Sequence, residues 1–208
     1  MRVLIITRLA VDLMIKNICV FASSCNYLDE IYYQEASKLG DLLSQNGFNM
    51  VYGGSSMGLM WACAEQVKKN GGKIIGVMPE KLHNMGVFTD ECVELTVTKG
   101  MRERKAKMDE LSDAVVALPG GFGTLEELSE MIVQKQLGYN NKPIVLLNIN
   151  GFYDKLNEFF EQIIVENFAR KNSRDLYFIA QTSFDAVEYL KNYVPKELAI
   201  SKAQIYER

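Results

Sequence analysis

From Asn17 onward, short and almost continuously apolar runs alternate with longer stretches whose apolar residues recur every three or four positions. The runs Asn17–Ser23, Phe48–Tyr52, Lys73–Met78, Cys92–Val97, Asp113–Leu118 and Pro143–Asn148 predict strands, with a weaker one at Leu176–Ala180. Their continuous hydrophobicity suits strands covered on both faces. Between them, Asp29–Asn46, Met57–Asn70, Met101–Ser112, Thr124–Leu137, Phe152–Ala169 and Phe184–Tyr193 predict helices. In the first of these, Ile31, Ala36, Leu39, Leu42 and Leu43 mark an apolar face, and Gly47 is the expected glycine stop. The alternation predicts an α/β fold, an open parallel sheet with helices on both faces. No linker or compositional break interrupts it, so one domain is expected over residues 1–208.

Two glycine-rich loops fall where a predicted strand ends and a helix begins. They are Gly53-Gly54-Ser55-Ser56-Met57-Gly58 and Pro119-Gly120-Gly121-Phe122-Gly123-Thr124. Ligands of open α/β sheets bind outside the carboxyl ends of the strands, at the point where strand order reverses. Glycine lets a ligand approach the backbone, and a helix N-terminus supplies N–H groups and a favourable dipole. A tight turn accounts for one such loop, whereas two at equivalent strand ends point to a cradle for an anion. The pattern argues against a dinucleotide site, because the first strand runs into Ser23-Ser24-Cys25 and the second ends at Tyr52, without a glycine fingerprint or an acid. No Gly-Lys-Ser/Thr follows either loop, which excludes a Walker A motif.

Two charged clusters flank the second loop. Thr124-Leu125-Glu126-Glu127 fits a capping box, with Thr124 as the cap and Glu127 reaching back from the first turn. The alternative is that Glu127 faces a bound ligand, and the pattern leaves both open. Glu126 is explained by the helix dipole alone. In Met101–Met108, helical spacing puts Met101, Arg104, Met108 and Leu111 on one face and Arg102, Glu103, Lys107 and Glu110 outward. Arg104 on an apolar stripe calls for an anionic partner, because an unpaired buried cation is costly. That partner is either a structural carboxylate or a ligand. Lys105 lies on the other flank of Met101, placed to serve beside Arg104.

The 208 residues are 48% hydrophobic and carry a formal charge of −3. Such a balance argues against nucleic acid as a partner and leaves room for a small anionic ligand. Cys19, Cys25, Cys63 and Cys92 lack zinc or redox spacing, and are expected to be reduced and mostly buried, as suits a cytoplasmic protein. A single histidine, His83, argues strongly against a His-based metal site and weakens a Ser-His-Asp reading. The apolar stretch from Val3 to Ile15 is broken by Arg8 and Asp12, so neither a membrane span nor a signal peptide is expected. Residues 1–16 are taken as an extension.

Together these motifs resemble the LOG family, the cytokinin riboside 5′-monophosphate phosphoribohydrolases, often described as lysine decarboxylase-like. The resemblance covers about Ile18 to Phe168 and rests on Pro119-Gly120-Gly121-Phe122-Gly123-Thr124-Leu125-Glu126-Glu127 for P-G-G-x-G-T-x-x-E and on Met101-Arg102-Glu103-Arg104-Lys105 for M-x-x-R-K. It is supported by Val51-Tyr52-Gly53-Gly54, Gly58-Leu59-Met60, Ile75–Pro79, Lys142–Asn148 and Gly151-Phe152-Tyr153. It implies a Rossmann-like homodimer that hydrolyses the N-glycosidic bond of AMP or an N6-modified AMP, without metal or other cofactor. It implies that Arg104 and Glu127 are the catalytic pair. It further implies that Lys105 and the loop Gly120–Glu126 contact substrate, and Met101, Ser24, Gly53 and Gly54 are further candidates for substrate contact.

The sequence departs from the family pattern at Ala22-Ser23-Ser24-Cys25, at Ser55 where a third glycine is expected, at Trp61 and near Met85. These departures bear on base specificity, for which Met57, Trp61 and Met101 are apolar candidates. Residues 171–208 match least and are expected to form a variable C-terminal segment. The competing reading is a non-catalytic carrier of a nucleotide or pterin-type cofactor. A literal decarboxylase would need a pyridoxal phosphate lysine, for which the sequence has no motif.

Overall fold

The apolar runs assemble into one seven-stranded sheet in the computed structural model, which describes residues 15–195. The strands are β1 (Asn17–Phe21), β2 (Asn49–Tyr52), β3 (Ile74–Pro79), β4 (Glu94–Thr98), β5 (Ala114–Ala117), β6 (Ile144–Leu147) and β7 (Phe178–Ala180). All neighbours pair in parallel, in the order β4-β3-β2-β1-β5-β6-β7. Strand order reverses between β1 and β5, where Ile18 lies beside Ala114 and Phe21 beside Ala117. All seven expected strands are present, and the sheet is the Rossmann-like α/β architecture.

The helices are α1 (Glu30–Gln45), α2 (Gly58–Lys69), α3 (Glu80–His83), α4 (Met101–Leu111), α5 (Phe122–Gln136), α6 (Asp154–Val165) and α7 (Ser183–Lys191). Strand side chains alternate between the two faces. Ile18 and Val20 of β1 pack with Leu39 of α1, Leu59 and Cys63 of α2 and Val187 of α7. Cys19 and Phe21 pack instead with Met108 of α4 and Leu128 and Met131 of α5, and Phe160 of α6 borders that layer. Helices therefore cover both faces.

Several expectations need correction. Helix α6 is shorter than Phe152–Ala169, because Asn150 and Gly151 hold positive φ ahead of it and Asn167, also at positive φ, closes it. Gly47 does stop α1, at φ +76° just past the Asn46 cap. Ile31 is exposed rather than part of the apolar face of α1. All four cysteines are free, but only Cys19 and Cys63 are buried; Cys92 is half-buried and Cys25 exposed. The four-residue α3 and the 3-10 turns Ile149–Gly151 and Lys171–Leu176 escaped the pattern because they are too short to show a period. Most of the expected 1–16 extension, and the end of the 171–208 segment, lie outside the described residues. No helix among the described residues is long and apolar enough to cross a membrane.

Candidate active site

The carboxyl ends of β1 and β5 are tied together at the reversal of strand order. Leu118 donates its N–H to the Phe21 carbonyl at 2.9 Å, and Ser23 donates to the Pro119 carbonyl at 3.2 Å. From the other side, Leu59 at the start of α2 donates to the Ser23 carbonyl at 2.9 Å. The buried Tyr153 hydroxyl donates to the Leu118 carbonyl at 2.7 Å, bracing the chain just before the second glycine loop. Gly58 is held at φ +60° and donates its N–H to Asn26 Oδ1 at 2.8 Å, with Ser24 on the exposed rim beside it.

The second loop leads into α5 two residues earlier than the sequence suggests. Gly121 is the N-cap, Thr124 is already inside the helix, and no side chain caps it. The capping box is therefore not formed. Thr124 is instead buried under Gly120, where an added Cβ would lie 2.1 Å from Thr124 Oγ1. Both Glu126 and Glu127 fall in the second turn rather than the first. Gly121 and Gly123 have open space above them, Phe122 is 92% exposed, and Leu125 is partly exposed. The first N–H groups of a helix lack intrahelical partners, so this turn offers an anion several donors and a positive dipole end. Among the described residues a capping box does form at α7, between Thr182 and Asp185.

Arg104 finds its anionic partner in Glu127. The two residues are 7% and 8% exposed, and the Arg104 Nη1 donates to Glu127 Oε1. Arg104 Nε donates to the Val77 carbonyl of β3 at 3.0 Å, and the Nη2 end of the guanidinium lies against Gly53. Burial pushes the Glu127 carboxyl above the usual carboxylate range, and the neighbouring Arg104 offsets part of that rise. Cys19 of β1 lies close enough to sense Glu127, and its thiol is pushed up, first by burial and then by that carboxylate. Helices α4 and α5 thus bring together two groups 23 positions apart in sequence.

Lys105 turns away from this pair to bridge two carboxylates of α5, Glu126 and Glu130, the latter at 2.5 Å. Those carboxylates hold its ammonium above the usual lysine range. Met101, at the start of α4, is half exposed. Gly54 sits at φ +70° with Leu95 Cδ1 2.9 Å from where a Cβ would be. Ser55 is buried and forms a bridge to Phe88, whose ring stacks on His83 at 4.4 Å. Trp61 packs partly buried against the core, and Met85 is exposed.

Sequence reasoning brought Arg104, Glu127 and the Gly120–Thr124 turn to one place. It missed Val77, Asn26, Tyr153 and Glu130 as participants. Val77 acts through its carbonyl, which leaves no side-chain signal. Glu130 was legible as the next acid one helical turn beyond Glu126. No group of three or more His, Cys, Asp or Glu among the described residues is placed to hold a metal ion.

A family model described as possible lysine decarboxylase matches residues 60–190. The chain is 40% identical over 181 residues to the cytokinin riboside 5′-monophosphate phosphoribohydrolase LOG of Oryza sativa subsp. japonica, covering 87% of this chain and 75% of that protein. It is 36% identical over 192 residues to the phosphoribohydrolase LOG1 of Arabidopsis thaliana, covering 92% and 90%. Among solved structures, the molybdenum cofactor binding protein from Rippkaea orientalis superimposes with a TM-score of 0.64 at 26% identity, covering 86% of this chain and 97% of that one.

Proposed function

The chain belongs to the LOG family, and on that premise we propose that it hydrolyses the N-glycosidic bond of a nucleoside 5′-monophosphate, AMP or an N6-modified AMP, giving free base and ribose 5-phosphate. The observation that carries the reading is the buried Arg104–Glu127 pair, next to an exposed glycine turn at the reversal of strand order.

The phosphate occupies the Gly120–Thr124 turn, where backbone N–H groups and the helix dipole receive it. Ser24, Gly54, Met101, Lys105 and the exposed residues Phe122, Leu125 and Glu126 border the substrate. Water attacks C1′ of the ribose as the bond to the base nitrogen breaks; the water's oxygen stays on C1′ as a hydroxyl, and the proton that it loses balances the one taken up by the base, which leaves with the electron pair. Positive charge develops on the sugar in such a transition state, as in glycoside hydrolysis. The Glu127 carboxylate stabilises that charge and orients the water, and Arg104 holds the carboxylate in place. No step calls for a metal or redox group.

The family description would suggest pyridoxal phosphate, but the residues do not fit it. A Schiff-base lysine needs a depressed pKa, and Lys105, the lysine beside the pair, is held by two carboxylates that raise it. The buried Lys135 sits in the last turn of α5, at the opposite end of the helix from the glycine turn, with its ammonium on the Tyr193 hydroxyl.

The chain is read as one domain, a cytoplasmic homodimer acting on a small molecule rather than on nucleic acid. The single sheet supports one domain, the four free thiols a cytoplasmic setting and the net charge of −3 a small-molecule substrate over nucleic acid, while the homodimer rests on the family resemblance. The likeness to a molybdenum cofactor binding protein favours one other reading, a carrier that holds a ligand without turning it over.

The deciding experiment incubates the protein with AMP and an N6-substituted AMP, and quantifies free base and ribose 5-phosphate. Glu127→Gln is the better control, because its amide oxygen can still accept from Arg104 Nη1, whereas Glu127→Ala would leave that buried donor without an acceptor. Release by the native chain, reduced ~10²–10³-fold or more in a folded Glu127→Gln protein, supports the hydrolase. Nucleotide binding without release supports the carrier.

A further inference from the structure

On the reading of Arg104 and Glu127 as the catalytic pair, we infer that Gly53 is a positioning residue, whose missing side chain makes the seat for the Arg104 guanidinium. It is not part of the phosphate cradle. Gly53 follows the last residue of β2 and is buried, whereas Gly121 and Gly123 of the second loop are exposed with open space above them. The backbone does not require glycine here. Its neighbour Gly54 sits in the left-handed region at φ +70°, but Gly53 does not.

What requires glycine at 53 is space. A Cβ on Gly53 would lie 2.7 Å from Arg104 Nη2 and 3.1 Å from Met60 Sδ. Met60 is a flexible thioether that can shift. The guanidinium has less freedom, because its other two nitrogens are committed. Nε is on the Val77 carbonyl at 3.0 Å, and Nη1 is on Glu127. All three nitrogens belong to one rigid plane, so displacing Nη2 rotates the other two. A methyl group at position 53 therefore degrades the alignment of Arg104 on Glu127 without touching the substrate turn.

The carboxyl of Glu127 reports this alignment. The groups facing it are Arg104 and Lys105 from α4, Glu126 from its own helix and Cys19 from β1. Only Arg104 is both in direct contact with the carboxylate and against Gly53.

The test compares the native chain with Gly53→Ala, Arg104→Lys and the double variant. Two quantities are read: steady-state turnover of AMP, and the titration of the Glu127 carboxyl carbon by NMR without substrate, assigned with Glu127→Gln. The inference expects Gly53→Ala to lower kcat by about tenfold or more, as for a small misplacement of a catalytic group, with KM nearly unchanged. It expects the Glu127 titration to move to higher pH, and Gly53→Ala to cause no further loss once Arg104 is lysine. A raised KM with unchanged kcat and titration would place Gly53 on the substrate instead and overturn the inference, as would no change in any readout. Should Gly53→Ala fail to fold, the double variant must fold, because lysine puts no nitrogen at that spot; failure of both overturns the inference. If the native chain releases no base from any nucleotide, the hydrolase reading fails, and the carboxyl titration alone decides whether Gly53 seats Arg104.

Discussion

Glu127 carries opposing influences, and their balance sets how the site responds to pH. Burial raises its pKa and Arg104 lowers it, with burial the larger. A carboxylate that acts ionised loses activity as pH falls through its pKa, so the acid limb of kcat/KM lies above the ordinary glutamate value of about 4.3. Removing the cation removes the lowering influence. Arg104→Gln is therefore expected to move that limb to higher pH while reducing turnover, and a pH–rate profile checks it; a limb that stays put or moves down separates Arg104 from Glu127. Breaking a buried pair from either side also costs stability, roughly 3–5 kcal/mol, so rates are compared per folded molecule. The need for an anion beside Arg104 was legible, because helical spacing set it on the stripe of Met108. Its identity was not, since Thr124-Leu125-Glu126-Glu127 also satisfies a local capping rule. In the structure the helix starts earlier, Thr124 packs beneath Gly120 instead of capping the helix, and Glu127 meets Arg104, an outcome set by three-dimensional packing that the local pattern does not show.

The elements around the site act as a brace for one turn of chain. Tyr153 lies between the 3-10 turn Ile149–Gly151 and α6, and its own N–H is fixed by Asn148 Oδ1 at 2.7 Å. Its hydroxyl in turn fixes the Leu118 carbonyl at the exit of β5. Tyr153→Phe keeps the ring in place but strands that carbonyl, a loss of about 1–3 kcal/mol. The expected result is a lower denaturation midpoint and a raised KM for nucleotide, with the acid limb of the pH profile unmoved because Glu127 keeps its partner. A shift of that limb would mean that the brace reaches the pair. The strands themselves were readable because burial on both faces leaves an unbroken apolar run. The brace was not, because its acceptor is a backbone carbonyl and its donor sits in a motif that reads equally as a helix start.

The whole molecule leaves part of α5 uncovered. Leu125, Val133 and Leu137 are exposed at the spacing of helical turns, with Ser129 between them and Tyr139 beyond. Such a stripe on a helix suits a self-complementary contact, and it supports the proposed homodimer. Val133→Glu is expected to turn a dimer into a monomer with the same helix content, as read by analytical ultracentrifugation; a native chain that sediments as a monomer, or a variant that stays dimeric, removes α5 as the interface. The order of the strands also has a consequence in time. Ile18 meets Ala114 across 96 positions of chain, the junction on which the rest of the site is built. Arg104 precedes that junction in the chain and Glu127 follows it. During synthesis, strands β1 to β4 can be laid down while the arginine still lacks its carboxylate. Closing so long a loop is slow compared with local helix formation. On the proposed roles of Arg104 and Glu127, the chain gains its pair only after β5 and α5 have been made, so a half-made molecule would lack the means to cut a nucleotide before it is whole.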